Sequence, residues 1–471
     1  MFSNLVVCSA LAALAAVLGV NGQSVIVPGA PWKDTSGNPI QAHGAGILKV
    51  GSTFYWFGED KSHNSALFKA VSCYSSTDLV NWSRHNDALS PISGTMISTS
   101  DVVERPKGRF DRIRQPFQSL NIQLPHDPVL FNSKNSEYVM WFHSDSSNYG
   151  AAMVGLATAT TPCGPYTYKG SWKPLGADSR DEGLFQDDDG TAYLLYASDN
   201  NQNFKISQLD TNYYNVTSVV SQLNGATLEA PGIVKRDGVY WLIASHTSGW
   251  DPNPNKAFHA TSLSGPWSSQ ADIAPESVRT YYSQNAYDLP LGSNAIYMGD
   301  RWRSNILGSS QYIWYPLDFS SGMPQIVPAD VWSVNLAAGT YSVATGTAYE
   351  AESGQMAGSS RLLSGSGFSG GQAVGYLASA GNGGSVTITV QGRGTAQWVS
   401  LYIANGDSTW RNTTISVNGG SSIVLDQPST GGGNVVLSIP VQLNLRSGSN
   451  AITFSAGQSN YAADLDKIIV Y

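Results

Sequence analysis

The sequence predicts an all-β protein in which a five-bladed β-propeller precedes a β-sandwich of the jelly-roll type. A short apolar segment recurs five times in the first two thirds of the chain, and a strand-rich unit that repeats about every 50 residues is typical of a propeller. The five segments lie at 54–59, 138–143, 193–198, 240–245 and 295–300. Nearer the C-terminus, alternating apolar and polar residues at 385–390 and 399–403 predict the sandwich.

A second regularity supports the propeller. Three of the five segments are followed 27 or 28 positions later by an aromatic residue, in the pairs Phe54 with Trp82, Tyr138 with Tyr166, and Tyr240 with Trp267. A β-sandwich is the alternative for this region, but it does not explain the matched distances. In a propeller the inner strand of each blade faces one central channel, so polar residues that are distant in sequence meet there.

The composition restricts the function. Only 13% of the residues are charged, 11% are aromatic, and the formal net charge is −8. This charge argues against binding to nucleic acid or to anionic membranes, because both select basic patches. Exposed Trp and Tyr rings suit a sugar-binding surface, since the C–H faces of a pyranose stack on aromatic rings. The alternative is that most of these rings are core.

The N-terminus predicts secretion. Residues 1–22 are expected to be a signal peptide, because 5–20 are almost entirely apolar and small or neutral residues follow. This run is too short for a membrane span, and no other stretch could cross a bilayer. Removal of Cys8 leaves Cys73 and Cys163, which could form one disulfide or remain two buried thiols. Three glycosylation sequons agree with an extracellular location: Asn81, Asn215 and Asn412.

One carboxylate, Glu229, stands between apolar residues just before a predicted hairpin whose turn is Asp237-Gly238. Burial in this place raises a carboxyl pKa, which suits a general acid that must hold its proton near neutral pH. The alternative is a structural Glu that caps backbone amides. Other blades can add polar side chains to the same channel: Glu59, Glu104, Tyr149, Asp181 and Gln284.

With these residues the chain resembles glycoside hydrolase family 43, in its exo-β-1,3-galactanase subfamily, over about residues 24–335. The most telling matches are Glu-Arg-Pro-Lys at 104–107, Leu-Glu-Ala-Pro at 228–231, Thr-Ser-Gly-Trp at 247–250 and Ser-Gln at 283–284. The resemblance implies a five-bladed propeller that hydrolyses glycosides with inversion. Inversion needs an acid and, on the opposite side of the sugar, a group that activates water, about 6.5–9.5 Å away.

The resemblance also implies roles for residues. Glu229 is the acid, and Glu104 tunes it and holds the sugar. The usual Asp base is missing, because its position looks like His43-Gly44. Gln284 stands in its place: either it orients the water and passes the proton on as an imidic acid, or it only positions water while Glu104 or another group takes the proton. The terminal galactose is expected to contact Glu59, Tyr149, Asp181, Thr247 and Trp250. The alternatives are that Asp181 only caps a turn and that Trp250 belongs to the core.

One segment departs from the subfamily. Residues 108–128 form a basic, irregular insertion that contains Asp127-Pro128, which imitates the family's base motif. We interpret this match as a decoy. The insertion is either a surface loop beside Glu104 or intron sequence translated through a gene-model error, and sequencing the transcript distinguishes the two.

The C-terminal part resembles carbohydrate-binding module family 35 over about residues 345–471, from its opening at 349–352 and its ending at 463–468. That family binds a structural Ca²⁺, here with Glu350, Glu352 and Asp466, whose oxygens suit the ion; solvated edge charges are the alternative. Galactose-binding members imply a sugar site, formed by Tyr376, Arg411, Asn434, Tyr461 and Asp464. A glycan on Asn412 would crowd that site unless Arg411 points elsewhere.

The predicted organisation is therefore a signal peptide at 1–22, a propeller at 23–335, a linker at 336–344 and the module at 345–471. The expected protein is a secreted monomer that cleaves the β-1,3-galactan backbone of arabinogalactan from the non-reducing end. It releases galactose or substituted galacto-oligosaccharides, and catalysis needs no cofactor. The alternatives are an α-L-arabinofuranosidase or β-xylosidase of the same family, and a non-catalytic, lectin-like propeller that binds galactan.

Overall fold

A computed structural model describes residues 24–108, 130–132, 134–378 and 383–471. The predicted signal peptide with Cys8, and the insertion from 109 onward with its Asp127-Pro128 motif, lie outside these residues. The described chain is built of strands, which confirms the all-β prediction. Its helical turns are short, at Pro174–Gly176, Glu276–Val278, Arg279–Tyr282, Leu307–Ser309, Ala351–Ser353 and Ser369–Gly371. Across the described ranges, no helix has the length and apolar character to span a bilayer.

Five antiparallel sheets follow one another, and in four of them the strands neighbour one another in chain order, while in the second sheet β5 and β6 both pair with β7. The first contains β1 His43–Val50, β2 Thr53–Glu59, β3 Val71–Ser76 and β4 Ser83–Arg84. The second contains β5 Asp101–Gly108, β6 Leu130–Asn132, β7 Glu137–Ser146, β8 Met153–Ala159 and β9 Thr167–Trp172. The third contains β10 Glu182–Gln186, β11 Ala192–Ser198, β12 Asn203–Leu209 and β13 Val216–Leu223.

The fourth sheet contains β14 Leu228–Arg236, β15 Val239–His246, β16 Lys256–Ala260 and β17 Ala271–Asp272. The fifth contains β18 Gln284–Leu291, β19 Asn294–Arg301, β20 Gln311–Asp318 and β21 Gln325–Ile326. When β5 and β6 are counted as one interrupted strand, all five recurring apolar segments of the sequence are the second strands of these sheets: β2, β7, β11, β15 and β19. The repeated unit that the sequence predicted is therefore one sheet.

The first strands of the sheets pack in a ring. Each of β1, β5, β10, β14 and β18 contacts the next, and β18 contacts β1. Small residues make this approach possible. A Cβ on Gly183 would lie 2.5 Å from the carbonyl oxygen of Pro231 in the neighbouring sheet. The ring brings the starts of five distant strands to one place.

The insertion interrupts a strand without shifting its register. Gly108, the last residue of β5, pairs with Met140, and Leu130, the first residue of β6, pairs with Val139. Both strands pair with β7, so β6 continues the ladder where β5 stops. The segment between them is therefore an insertion into what is otherwise one continuous edge of the sheet.

Aromatic side chains and a disulfide hold the sheets together. Trp56 is fully buried between Trp82 and Trp314, with ring centroids 5.1 Å and 4.7 Å away. For these rings the core interpretation is correct, and they are not available to sugar. Cys73 of the first sheet and Cys163 of the second form the disulfide that the sequence left open, with Cα atoms 5.6 Å apart.

The C-terminal part consists of two facing sheets with a common apolar core. One sheet contains β24 Thr347–Glu350, β26 Arg361–Ser364, β27 Gln372–Gly375, β29 Thr395–Ala404, β32 Leu437–Leu445 and β34 Asp464–Val470. The other contains β25 Gln355–Ala357, β28 Ser385–Gly392, β30 Arg411–Val417, β31 Ile423–Gln427 and β33 Gly448–Ala456. A hairpin of β22 Trp332–Asn335 and β23 Thr340–Val343 occupies part of the predicted linker.

The two parts of the chain are also joined by direct contacts. The carboxylate of Asp330, just before the hairpin, accepts hydrogen bonds from the hydroxyls of Tyr402 at 2.9 Å, Ser438 at 2.6 Å and Tyr471 at 3.0 Å. Tyr402 and Ser438 lie in a C-terminal sheet, and Tyr471 directly follows its strand β34. The C-terminal part is therefore docked on the first part rather than joined to it by the hairpin alone.

Candidate active site

A cavity of about 210 Å³ opens where the five first strands meet. It is lined by seven of the eight residues for which the sequence predicted a catalytic or galactose-binding role: Glu59, Glu104, Tyr149, Asp181, Glu229, Trp250 and Gln284. The eighth, Thr247, is exposed on the loop after β15 and is not part of the lining. Its role in a sugar wall stays a prediction.

Glu229 lies near the start of β14, where a bulge interrupts the pairing with β15. Its neighbour Ala230 has a φ of +55°. The side chain is 9% exposed, and burial raises its pKa to about 8. The charges of Asp181 and Glu104 act in the same direction, while Arg105 opposes them. Glu229 therefore holds a proton at neutral pH, for the reason that the sequence suggested.

Gln284, the first residue of β18, is in direct contact with Glu229. Its Nε2 donates to Glu229 Oε1 at 2.8 Å and to Ser245 Oγ at 3.1 Å. Its Oε1 accepts from Arg105 Nη2 at 2.7 Å and from Trp302 Nε1 at 2.9 Å. Two donors on the oxygen fix which way the amide points.

This contact corrects one expectation. We expected Glu229 and Gln284 to lie on opposite sides of the sugar, with a water held by Gln284. In the structure the two side chains are joined by a hydrogen bond. The reason is that β14 and β18 belong to neighbouring sheets and contact each other. A carbonyl oxygen has two lone pairs, and both are occupied here.

Glu104 on β5 has the opposite electrostatics from Glu229. Its carboxylate accepts from the Tyr149 hydroxyl at 2.8 Å and lies 3.4 Å from His143 Nδ1 and 3.7 Å from Lys61 Nζ. Burial alone would raise its pKa, but His143, Lys61 and Tyr149 outweigh burial and lower the pKa to about 2. Glu104 is therefore negatively charged at neutral pH, where Glu229 is protonated.

His143 is a buried side chain that carries a positive charge beside Glu104. Burial opposes its charge, but the hydrogen bond to Asp145 and the nearby carboxylate of Glu104 raise its pKa to about 10. Its Nε2 lies 3.0 Å from Asp145 Oδ2. Glu104, His143 and Asp181 place ligand-type atoms within 4.8 Å of one another. Both ring nitrogens of His143 face carboxylate oxygens, so a metal ion bound here would have to displace one of these contacts.

Arg105 connects the acid side of the cavity to Gln284. The residue is 4% exposed, has a φ of +49°, and its Nε lies 2.6 Å from Asp181 Oδ2. Its backbone N–H donates to Glu59 Oε1 at 2.9 Å, and Glu59 Oε2 pairs with Lys61 Nζ at 2.7 Å. Asp181 therefore pairs with a buried cation, which is more than the turn cap that the sequence allowed.

The position where the family usually has its Asp base is filled by other side chains. His43 is fully buried, its Nδ1 lies 3.0 Å from Asp300 Oδ1, and its ring stacks on Tyr312 at 4.9 Å. The next residue, Gly44, has a φ of +58°, and a Cβ there would lie 2.2 Å from Glu59 Oε1. Glu59 thus fills the space beside the backbone from which the usual base would project.

Trp250 forms part of the wall and packs against Trp302, with ring centroids 5.1 Å apart. It is only half-buried, so it is accessible from the cavity. The sequence analysis did not single out four functional neighbours: Lys61, Arg105, His143 and Trp302. Arg105 lies in the matching block at 104–107, and His143 ends a recurring apolar segment, so both carried a signal. Nothing in the sequence pointed to Lys61 or Trp302.

In the module, two of the three predicted calcium ligands contact Ser369, and the third, Glu352, lies beside the next residue, where a Cβ on Gly370 would be 3.1 Å from its Oε1. The Ser369 N–H donates to Asp466 Oδ1 at 2.7 Å and its hydroxyl to Glu350 Oε1 at 2.9 Å. One oxygen each of Glu350 and Glu352 is buried without a hydrogen-bond partner. Burial raises the pKa of Asp466 to about 6, and the charges of the two Glu side chains add to this. Uncompensated carboxylate oxygens fit a hard divalent cation.

The predicted sugar site of the module is brought together only in part. Tyr376 and Tyr461 lie edge to face at 5.2 Å, and Arg411 Nη1 donates to the carbonyl of Ala462 beside them. Burial raises the pKa of Asp464 to about 6, against the nearby charge of Arg411. Asn434 is exposed on a loop.

The conflict between Arg411 and a glycan on Asn412 disappears in the structure. The two residues are consecutive on β30, and consecutive strand residues point to opposite faces of a sheet. A glycan on Asn412 would not cover the face on which Arg411 lies.

Comparisons with known proteins agree with this geometry. The model of glycosyl hydrolases family 43 matches residues 120–287. An exo-β-1,3-galactanase from Phanerochaete chrysosporium, solved with β-1,3-galactotriose, is 74% identical and covers 95% of this chain and all of its own, with a TM-score of 0.88. An exo-β-1,3-galactanase from Clostridium thermocellum is 27% identical over 95% of this chain and all of its own, with a TM-score of 0.61. The β-D-galactofuranosidase XynD of Aspergillus niger is 26% identical, over 55% of this chain and 69% of that protein.

Proposed function

The chain belongs to glycosyl hydrolases family 43, and we propose that it is a secreted, inverting exo-β-1,3-galactanase. One observation carries the proposal: a buried carboxyl that keeps its proton up to a pH of about 8 faces a cavity shared with a fully charged second carboxylate. Pairs of acids whose pKa values are pushed apart are typical of glycoside hydrolysis. The 74% identical relative is an exo-β-1,3-galactanase that was solved with β-1,3-galactotriose.

In this proposal Glu229 protonates the oxygen that leaves with the rest of the polymer. Glu104 keeps its negative charge and stabilises the positive charge that develops on the sugar ring. Burial keeps Glu229 protonated by raising its pKa. His143 and Lys61 keep Glu104 ionised by lowering its pKa. Desolvation and ion pairing therefore give two chemically identical groups different roles.

Gln284 is proposed to position water rather than to accept its proton as an ordinary amide, and for this its oxygen exchanges one of its two donors, Arg105 or Trp302, for the water when the sugar binds. Arg105 and Trp302 occupy its oxygen, and its nitrogen donates both hydrogens. An imidic acid would have to place a hydroxyl hydrogen against those two donors, which is unfavourable. This favours the second of the two accounts that the sequence left open, in which Glu104, the ionised carboxylate of the cavity, or another group takes the proton of the water.

The rest of the expected architecture is part of the proposal. The ring of first strands supports a five-bladed propeller, and the two facing sheets support a β-sandwich module. In the module Glu350, Glu352 and Asp466 would hold Ca²⁺, which would neutralise their charges and stabilise the fold. The module would hold the polymer and raise its local concentration. We further propose that the enzyme is a monomer, secreted after removal of residues 1–22.

The test is release of galactose from β-1,3-galactan and from β-1,3-galactotriose, measured beside arabinan and xylan. We expect galactose from the two galactans, with the anomeric configuration inverted when it is followed early by NMR. Glu229→Gln and Gln284→Ala should each lower turnover by orders of magnitude. Asp237→Asn, at the exposed tip of the same hairpin as Glu229, is the matched control and should leave turnover unchanged.

Three results would contradict the proposal. Activity on arabinan or xylan alone would favour the other family members, although the filled position at His43 argues against their usual base. Binding to galactan without release of sugar would favour a lectin. Full activity in Gln284→Ala would show that the role of this residue is wrong.

A further inference from the structure

The backbone that presents Gln284 has an unusual conformation. Arg279, Thr280, Tyr281 and Tyr282 have φ values of +45°, +54°, +56° and +55°. L residues rarely adopt this left-handed region, and they do so as single residues rather than in runs. The turn ends two residues before Gln284, so its conformation sets where that side chain begins. Such a run persists only when its surroundings hold it.

Contacts within the first part of the chain hold one side of this turn. Arg301 Nη2 donates to the carbonyl oxygen of Tyr281 at 2.8 Å. Thr280 Oγ1 accepts from the backbone N–H of Asn255 at 2.8 Å, and Ser283 Oγ donates to the carbonyl of Thr280 at 2.6 Å. These bonds fix the backbone from inside the protein.

The C-terminal module covers the other side. The Trp410 ring lies edge to face on Tyr282, with centroids 6.4 Å apart. Gly431 is so close to the guanidinium of Arg279 that a Cβ there would lie 2.2 Å from Nη2. Both module residues lie on loops, one before β30 and one after β31.

The module also contacts the second segment that holds Gln284. Trp302 donates to the Gln284 oxygen, and the next residue, Arg303, forms an ion pair with Asp426. The Arg303 guanidinium lies 4.9 Å from the centre of the Trp410 ring. Trp410 thus contacts both the turn before Gln284 and the segment that carries its hydrogen-bond donor.

We propose that Trp410, Asp426 and Gly431 form a module clamp that positions Gln284 for catalysis. The module then has a function in the reaction itself, separate from binding of polymer. The clamp residues touch neither substrate nor reacting atoms, so they are positioning residues. This inference rests on the proposed function, because it assigns a role to the geometry of Gln284 in galactan hydrolysis.

The test uses the full-length protein and β-1,3-galactotriose, a soluble substrate for which polymer binding brings no advantage. Trp410→Ala should lower kcat by about 10- to 100-fold with little change in KM, because misplacement of a catalytic group by about 1 Å has an effect of this size. Trp410→Phe, which keeps a ring between Tyr282 and Arg303, should restore most of the rate. Val424→Ala is the control, because Val424 is 62% exposed on the same strand as Asp426.

A double variant separates positioning from general support. If the clamp acts through Gln284, adding Trp410→Ala to Gln284→Ala should change the residual rate less than about twofold, since coupled residues are not additive. A full further loss would overturn the proposal. Should Trp410→Ala fail to fold, Asp426→Asn removes the ion pair at nearly constant size and should also lower kcat without raising KM.

The outcomes distinguish the two proposals. An active wild-type enzyme with an equally active Trp410→Ala variant would overturn the clamp alone. A wild-type protein that releases no galactose from the trisaccharide would overturn the proposed function and the clamp with it.

Discussion

The raised pKa of Glu229 predicts that replacing this residue stabilises the protein while abolishing its activity. The folded pKa is about 8, against 4.5 for the free group. A group with a raised folded pKa contributes its full stability below the unfolded pKa, and this contribution is lost as the pH rises through the folded pKa. Wild-type protein therefore loses stability between pH 4.5 and pH 8, and Glu229→Gln removes this loss.

The magnitude follows from the two pKa values. Linkage gives a cost of about 1 kcal/mol at pH 5 and about 3 kcal/mol at pH 7 for keeping Glu229 protonated in the fold. Gln at this position keeps an oxygen that can accept from Gln284 Nε2. The variant should therefore be more stable than wild type at both pH values. Its gain in the free energy of unfolding should be about 2 kcal/mol larger at pH 7 than at pH 5.

The assay is thermal unfolding of both proteins at pH 5 and pH 7, together with galactose release. The variant should gain a few degrees in Tm at pH 7 and much less at pH 5. Glu104→Gln is the matched control. Its folded pKa of about 2 means that its contribution to stability is complete above 4.5, so this variant should be less stable by a similar amount at both pH values. A Tm difference for Glu229→Gln that is the same at pH 5 and pH 7 would refute the reasoning.

Three further predictions concern the fold. The Cys73–Cys163 bond spans 90 positions, so Cys163→Ser should lower the free energy of unfolding by about 4–5 kcal/mol in calorimetry, and an unchanged free energy of unfolding would contradict this. Because the strand register continues across residues 109–129, a variant without them should fold and retain its kcat on β-1,3-galactotriose within about twofold; an insoluble or inactive product would contradict this. Chelation with EDTA should lower the Tm of the wild type but not of Asp466→Asn, and equal shifts in both would exclude that residue as a calcium ligand.

Much of the fold was predictable, because strands leave a local pattern. The five apolar segments identified the second strand of each of the five sheets in the first part of the chain, with β5 and β6 counted as one, since those strands are buried on both faces and read as continuous apolar runs. Glu229 was predictable for the same reason, because a carboxylate beside such a strand is desolvated. The insertion was recognisable by composition, but only the pairing of Gly108 and Leu130 with adjacent residues showed that it divides a single strand.

The sequence by itself determined which residues are available: the strands, the acid, the two cysteines and the amide where a base is usual. It could not determine the state of those groups, because a pKa or a hydrogen bond depends on neighbours that are distant in the chain. Tertiary structure decided that Glu229 and Glu104 carry opposite protonation states, since His143 and Lys61 surround only one of them. It also decided that Gln284 points its nitrogen at Glu229, because Arg105 and Trp302, 179 and 18 positions away, hold its oxygen.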